Sequence, residues 1–278
     1  MDTANHMLRT GRRGALFEHQ MAFQDLRTSV ERIDLAWSLA WHDVVSRYRG
    51  SILGPLWITL SMGLMVLGIG VLWGELFRVP LHEFMPFVAL GIVFFGTVTT
   101  TINEGCFTFV QAAGMLSQTS LPMFTFIWRT VLRNLINLAH HIVIVLAVLV
   151  YYGYWRIANY PVALLGLFLL IVNVAWISML VAIFSARFRD IPQIVASITQ
   201  AAAIMTPVFW LTDRIPPRYH LILDANPFYH LLQGVRAPLM GQGVEPHTFA
   251  FLAAMAVVGW ARAFSVFANT RRRIVHYL

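Results

Sequence analysis

From residue 54 onward, apolar residues gather in runs of about twenty, and the stretches between them are short and rich in Pro, Gly and Arg. A helix of roughly that length crosses a hydrocarbon layer ~30 Å thick. The pattern predicts six spans, at about 54–77, 84–110, 125–152, 161–185, 191–212 and 247–268. Residues 1–28 read as a loosely ordered basic tail, and Thr28-Ser29-Val30-Glu31 has the form of a capping box that opens a helix over 29–49. In that helix Ile33, Trp37, Trp41, Val44 and Tyr48 share one face, while Arg32, Asp43, Ser46, Arg47 and Arg49 fill the rest. Tryptophan on one side and arginine on the other is the distribution of a helix lying in a membrane interface. Between the last two spans, residues 213–246 hold two apolar pieces near 218–225 and 227–240, split at Asn226-Pro227. Each is too short to cross, so they read as re-entrant or outer half-helices. The expected fold is an all-α polytopic membrane protein with one transmembrane domain over 29–278.

Composition agrees with the pattern. The 278 residues are 58% hydrophobic and 12% charged, with mean hydropathy +0.66, whereas a soluble surface draws on roughly 25% charged residues. No segment of the first 53 residues has the short apolar core of a secretory signal, so no cleavable leader is expected. All 20 basic residues are arginine. The lack of lysine excludes a Schiff-base amine and a Walker A loop, so any ATP must be bound by another chain. The single cysteine, Cys106, permits no internal disulfide.

The arginines also orient the chain. Fourteen fall on one side of the expected spans, among them Arg47, Arg49, Arg129, Arg133, Arg187 and Arg271. The other side holds Arg78, Arg156, Arg214, Arg218 and Arg236. By the positive-inside rule both termini are cytoplasmic. The pI of 10.2 then reflects topology and anionic lipid, and nucleic acid need not be invoked.

Several polar groups fall inside the spans. Glu104 lies in the inner third of the second, where a charge at membrane depth must face protein, water or an arginine. The third carries Arg129, Arg133, Asn137 and His141 four apart, with His140 beside them. Adjacent histidines on a helix point about 100° apart and do not chelate one metal, so no metal site is expected. Residues 111–123, including Gly114, Met115, Leu116, Ser117, Gln118 and Thr119, carry no charge and read as a short helix that inserts into a partner's groove. Gly70 and Gly74 match a small-xxx-small packing pattern. Thr206-Pro207 breaks the fifth span just before Phe209 and Trp210, and the outer segment is a candidate lid.

Arg47-Tyr48-Arg49-Gly50-Ser51-Ile52-Leu53-Gly54-Pro55-Leu56-Trp57 resembles the signature of ABC-2 type polysaccharide exporters, specifically the permease subunit of the O-antigen/lipopolysaccharide branch. Asn103-Glu104-Gly105, Arg133-Asn134-Leu135-Ile136, Arg187 to Pro192, Thr206-Pro207-Val208, Asn226-Pro227 and Val235 to Gly241 extend the resemblance in order to about the end of the chain. His141, where relatives commonly have Asn, and His42, where they often have Arg, depart from it. The resemblance implies a homodimer in the bacterial inner membrane with two copies of an ATP-binding subunit. That subunit would hold ATP and Mg²⁺, leaving this chain without cofactors or catalysis. It also implies a polyprenyl-diphosphate-linked polysaccharide as cargo, moved to the periplasm along the dimer axis, with 111–123 as the coupling helix.

Under that reading Arg47 and Arg49 are candidates for the diphosphate, because a guanidinium matches phosphate oxygens in pairs; anchoring to lipid headgroups is the other role open to them. Trp57, Trp73, Phe209 and Trp210 are candidate channel linings, or else part of an interfacial aromatic belt. Asn226, Pro227 and Arg236 are candidates for the outer gate. Two other functions fit the composition: a membrane-embedded transferase acting on lipid-linked sugars, with Glu104, Asp43 or His140 as its base, and an ABC-2 permease for another lipid or a drug.

Overall fold

The computed structural model describes residues 2–211, 216 and 220–278, so Arg214 and Arg218 lie outside the described residues. Two helices precede the first span, α1 (Asp2–Glu31) and α2 (Ile33–Arg47), and they meet at Arg32. The segment expected to be a loose tail is therefore helical. Its expected capping box closes α1 instead of opening the next helix, with the Ser29 hydroxyl donating back to the Leu26 carbonyl at 2.6 Å. Tertiary packing supplies the order, because Ala22, Asp25 and Ser29 recur at helical spacing and are all buried. In α2 the buried line is Ala36, Ala40 and Val44, whereas Ile33, Trp37 and Trp41 turn outward, as on a helix resting in an interface.

Among the described residues, five helices are long and apolar enough to cross a membrane: α3 (Leu56–Phe77), α4 (Leu81–Gly105), α6 (Met123–Tyr151), α7 (Tyr160–Arg187) and α11 (Pro246–Tyr277). Between α4 and α6 lies α5 (Thr108–Gln118), set off from α4 by a turn at Cys106-Phe107, earlier than the expected end of that span near 110. The expected fifth span is shorter than its apolar run. α8 (Ile191–Met205) has 15 residues and covers only ~22 Å. Pro207 ends it by disfavouring helical geometry at the residue before it, and Thr206 is extended with ψ 137°. Two short helices follow, α9 (His220–Asp224) and α10 (Pro227–Leu239).

α4 is the axis of the bundle. It is buried over most of its length against α3, α6, α7 and α10. Small residues set these crossings. Gly70 and Gly74 of α3 both face α4, where a Cβ on Gly70 would strike the Met85 sulfur and one on Gly74 would sit 2.8 Å from Leu81. The Gly70–Gly74 pair therefore packs within the protomer. Gly105 lies against Ser178 of α7, and Gly166 of α7 leaves no room for a Cβ against the Gly234 carbonyl of α10. At the arginine-rich end, α1 packs on the last turns of α11, so the two terminal segments share one end of the molecule.

Candidate functional site

The close packing of α2 on α6 brings Asp43 to the arginines of the third span. Ala40 and Val44 pack against Ile136 and Ile58, and Asp43 then meets the first turns of α6. Arg129 grips it with both arms of the guanidinium, Nε donating to Oδ2 at 2.7 Å and Nη2 to Oδ1 at 2.6 Å. Arg133, one turn deeper, donates from Nη1 to Asp43 Oδ2 at 3.0 Å and from Nη2 to Glu104 Oε2 at 2.8 Å. Asn134 adds a bond to the same Glu104 oxygen at 2.8 Å. Arg47 completes the set, 3.5 Å from Glu104 Oε1.

Three guanidiniums thus share two carboxylates, an excess of one positive charge. Burial pushes the Asp43 carboxyl up, but the hydrogen bonds and charge of Arg129, with those of Arg133, hold it below its ordinary value. Arg133 is almost fully buried, whereas the Arg47 side chain is 53% exposed and has the longest bond in the network. Arg47 is therefore the member freest to exchange its partner. The residues surround a polar cavity of about 390 Å³ that Ser46, Phe107 and Gln111 also line. Arg49 is exposed just past α2, close in sequence but outside the cavity lining.

The polar stripe on α6 divides. Arg133 joins the network, while His140 turns its Nδ1 toward the Ile136 carbonyl of its own helix at 2.8 Å. His141 keeps a buried Nδ1 without a partner, and Asn137 stays partly buried one turn beyond the pocket. From sequence Asp43 is a candidate only as the base of the alternative transferase, and Asn134 enters only through the run Arg133-Asn134-Leu135-Ile136. Charge balance gives the signal for Asp43, since two arginines in the first turns of a span require acids at the same depth.

Near the pocket α4 carries accessible polar groups. Thr99, Thr100 and Asn103 recur at helical spacing and are at least partly accessible, and the exposed Phe107 ring, past the end of α4, lines the pocket itself. Asn103 donates to the Thr199 hydroxyl of α8 at 3.0 Å, which sets α8 beside this face. On α8 itself Gln193, Ser197 and Gln200 share an exposed face. Amides and hydroxyls at this depth are costly against lipid tails and belong beside water or protein.

Of the four aromatic candidates, the structure brings two together. Trp73 of α3 lies 5.9 Å, centroid to centroid, from Phe209, which follows the break after α8. Trp57 precedes Trp73 by sixteen residues on the same helix, which places it about 160° away around the axis. One channel wall does not take both. Trp210 donates to the Ile204 carbonyl at 3.1 Å and folds back over the end of α8.

The outer-gate candidates converge on that same break. Asn226 caps α10 through the Phe228 amide at 2.9 Å, and its Nδ2 reaches the Thr206 hydroxyl at 3.0 Å. Pro227 occupies the first turn of α10, where its missing N–H costs nothing. Arg236, 1% exposed, donates to the Pro207 carbonyl at 2.6 Å and lies 4.0 Å over the Phe87 ring. Val208 packs its carbonyl against Gly91 of α4, where a Cβ would lie only 2.8 Å away.

Residues 111–123 end α5 and begin α6. Gly114, Ser117, Gln118 and Thr119 are exposed, but Leu116 is buried and Met115 packs inward against the cluster around Phe124 and Phe267. These four, with the exposed Gln111 and Ser120, are the residues of the segment turned outward, where a partner could touch them.

Residues 34–240 match the family model for ABC-2 type transporters. Among curated proteins, an O-antigen export system permease protein RfbA of Myxococcus xanthus is 25% identical over 240 residues, covering 84% of this chain and 91% of the relative. A protein of the same name from Klebsiella pneumoniae is 20% identical over 243 residues, covering 85% and 92%.

Proposed function

The chain belongs to the ABC-2 type transporter family, and from that premise we propose that it is the permease subunit of an ATP-driven exporter of lipid-linked polysaccharide. The relatives named as O-antigen export permeases support a glycan cargo such as O-antigen on a polyprenyl diphosphate. The arginine-rich end, with both termini, faces the cytoplasm of a bacterial inner membrane. Two copies pair, and each takes one ATP-binding subunit on the exposed tip of α5. ATP and Mg²⁺ belong to that partner.

One observation carries the cargo reading: the pocket holding Arg47 is lined by Glu104, next along α4 to the partly accessible Asn103, Thr100 and Thr99, polar groups that lipid tails would not cover. A diphosphate arriving in the inner leaflet meets the spare positive charge of the network. Arg47 releases its 3.5 Å contact with Glu104 and turns its fork onto phosphate oxygens, with Arg49 beside it. The attached glycan is then fed past Asn103, Thr100 and the Gln193–Gln200 face of α8 toward Trp73 and Phe209. Hydroxyls and amides there exchange hydrogen bonds with sugars as readily as with water. The Thr206-Pro207 break, held by Asn226 and Arg236, narrows the exit.

A transferase would need an uncommitted carboxylate or base. Asp43 and Glu104 are each engaged by guanidiniums, which favours transport over chemistry.

The test is the double variant Arg47→Ala/Arg49→Ala, assayed for surface glycan in cells lacking the native permease. The reading expects normal membrane insertion with a roughly ten- to hundredfold loss of export, the factor for losing one or two charge-assisted hydrogen bonds. Unchanged export by the double variant removes these arginines from headgroup binding.

A further inference from the structure

The helix found in place of a loose tail reaches under the joint between α5 and α6. That joint interrupts the helices: α5 ends at an exposed, extended Thr119, and α6 begins after Pro122, also extended. Proline offers no side-chain acceptor, so the first amides of α6 need one from elsewhere. Asp25 of α1 supplies it. Its carboxylate is 6% exposed, with Oδ1 accepting from the Met123 amide at 3.2 Å and Oδ2 from the Phe124 amide at 3.0 Å. A carboxylate at this position is favoured by the α6 dipole.

The same carboxylate binds the C-terminal helix, Arg271 Nη2 lying 3.2 Å from Oδ1. Burial pushes the Asp25 carboxyl up, and the amides of Phe124 and Met123 with the charge of Arg271 only partly offset that. The surroundings bind the three helices together. Trp128 of α6 donates to Ser29 at 3.2 Å, and Arg272 of α11 pairs with Glu18 at 3.0 Å. Ala22 shares one apolar cluster with Leu116 of α5, Phe124 of α6 and Phe267 of α11. All of α1 lies outside the 34–240 stretch that matches the family model.

We propose that α1 is a working part of the coupling apparatus, with Asp25 as its positioning residue, clasping the α5–α6 corner to the tail of α11. A push on α5 then moves α6 and α11 as one body and is not lost in the non-helical Thr119–Pro122 link. The proposal rests on the reading that an ATP-binding partner acts on α5.

The experiment has two readouts. In the purified permease, hydrogen exchange at the Met123 and Phe124 amides reports the clasp itself. Asp25→Ala is expected to speed it about tenfold, the factor typical of a lost cap. Asp25→Asn keeps an acceptor and loses the Arg271 pair, and is expected to fall between. In the reconstituted complex with the ATP-binding subunit, the ratio of cargo-stimulated to basal ATPase reports coupling. That ratio should drop in the same order, with basal ATPase unchanged.

A thiol-specific crosslinker about 8–10 Å long, joining Glu18→Cys to Arg272→Cys in a Cys106→Ser background, should leave coupling intact, because the clasp moves as a unit. Unaltered exchange in Asp25→Ala overturns the clasp. Faster exchange with an unchanged ratio overturns the coupling role, as does a crosslink that abolishes coupling. A wild-type complex without cargo-stimulated ATPase overturns the exporter reading, and the exchange readout separates that failure from failure of the clasp.

Discussion

Arg133 reaches across from α6 to Glu104 of α4, with Nη2 and Nε 2.8 and 3.1 Å from the same carboxylate oxygen. This contact explains how a carboxylate sits at the edge of a membrane span. It also sets the architecture of the pocket, since Arg133 holds Asp43 with its remaining arm and leaves Arg47 loosely held. A buried pair of this kind adds little net stability when intact, but removing one partner leaves an uncompensated charge.

Arg133→Ala should therefore destabilise the protein by about 3–5 kcal/mol. Glu104→Gln should cost clearly less, because the amide oxygen still accepts from Arg133 and Asn134. Thermal unfolding of the purified permease, followed by tryptophan fluorescence in detergent, orders the two variants. Equal losses would contradict the assignment of Arg133 as the bridge.

The Asp43 pair gives a pH dependence of defined sign. Its folded carboxyl titrates below the ordinary value of 3.8, so the native state holds that proton less tightly than the unfolded chain. The stabilisation is fully present above about pH 4 and is lost as pH falls through the lower, folded value. Arg129→Ala is expected to lower stability at pH 7 and to differ progressively less from wild type as the medium is acidified below pH 4. Denaturation midpoints measured against pH check this; a difference that grows on acidification contradicts it.

The proposed docking surface on α5 predicts a contrast between neighbours. Ser117 is exposed and donates only to the Gly114 carbonyl, whereas Leu116 is buried. Ser117→Glu should leave folding and membrane insertion intact while lowering both partner binding and cargo-stimulated ATPase severalfold. Leu116→Glu should fail earlier, at folding. Pull-down of the ATP-binding subunit and size-exclusion profiles of each variant separate the two effects.

Gly166 and Gly68 make a matched test of packing. A Cβ at Gly166 meets the Gly234 carbonyl, which is backbone and cannot step aside, while Gly68 has open space before it. Gly166→Ala should cost about 1–3 kcal/mol through forced separation of α7 and α10. Gly68→Ala should be neutral or slightly stabilising, because alanine is the better helix former. Thermal midpoints of the two variants decide it.

Much of this fold is legible in hydrophobic runs because a membrane span announces itself by length and apolarity, as α3, α6 and α7 do. Where the reading and the structure part, tertiary contact decides. α1 has no apolar run, and its order comes from Ala22, Asp25 and Ser29 finding partners about a hundred residues away. α8 inherits a long apolar run but stops at Met205, because Thr206 before Pro207 is bonded into the outer segment through Asn226. In the site, four-residue spacing correctly aligns Arg129 with Arg133. It says nothing of how deep the stripe's chemistry runs, so Asn137 and His141 fall outside the pocket. Asp43 enters from a separate helix, 86 residues before Arg129, and only charge balance points to its pairing with the arginines. The aromatic candidates divide for a geometric reason, since Trp57 and Trp73 sit on nearly opposite sides of α3.

As the proposed exporter subunit, this permease works only together with an ATP-binding partner. Purification of the chain from its native membrane in mild detergent, with stoichiometric companions identified by mass spectrometry, tests that dependence. A Walker A protein at one copy per permease chain is the expected companion. A permease recovered alone, with no ATPase retained after gentle crosslinking, would contradict it.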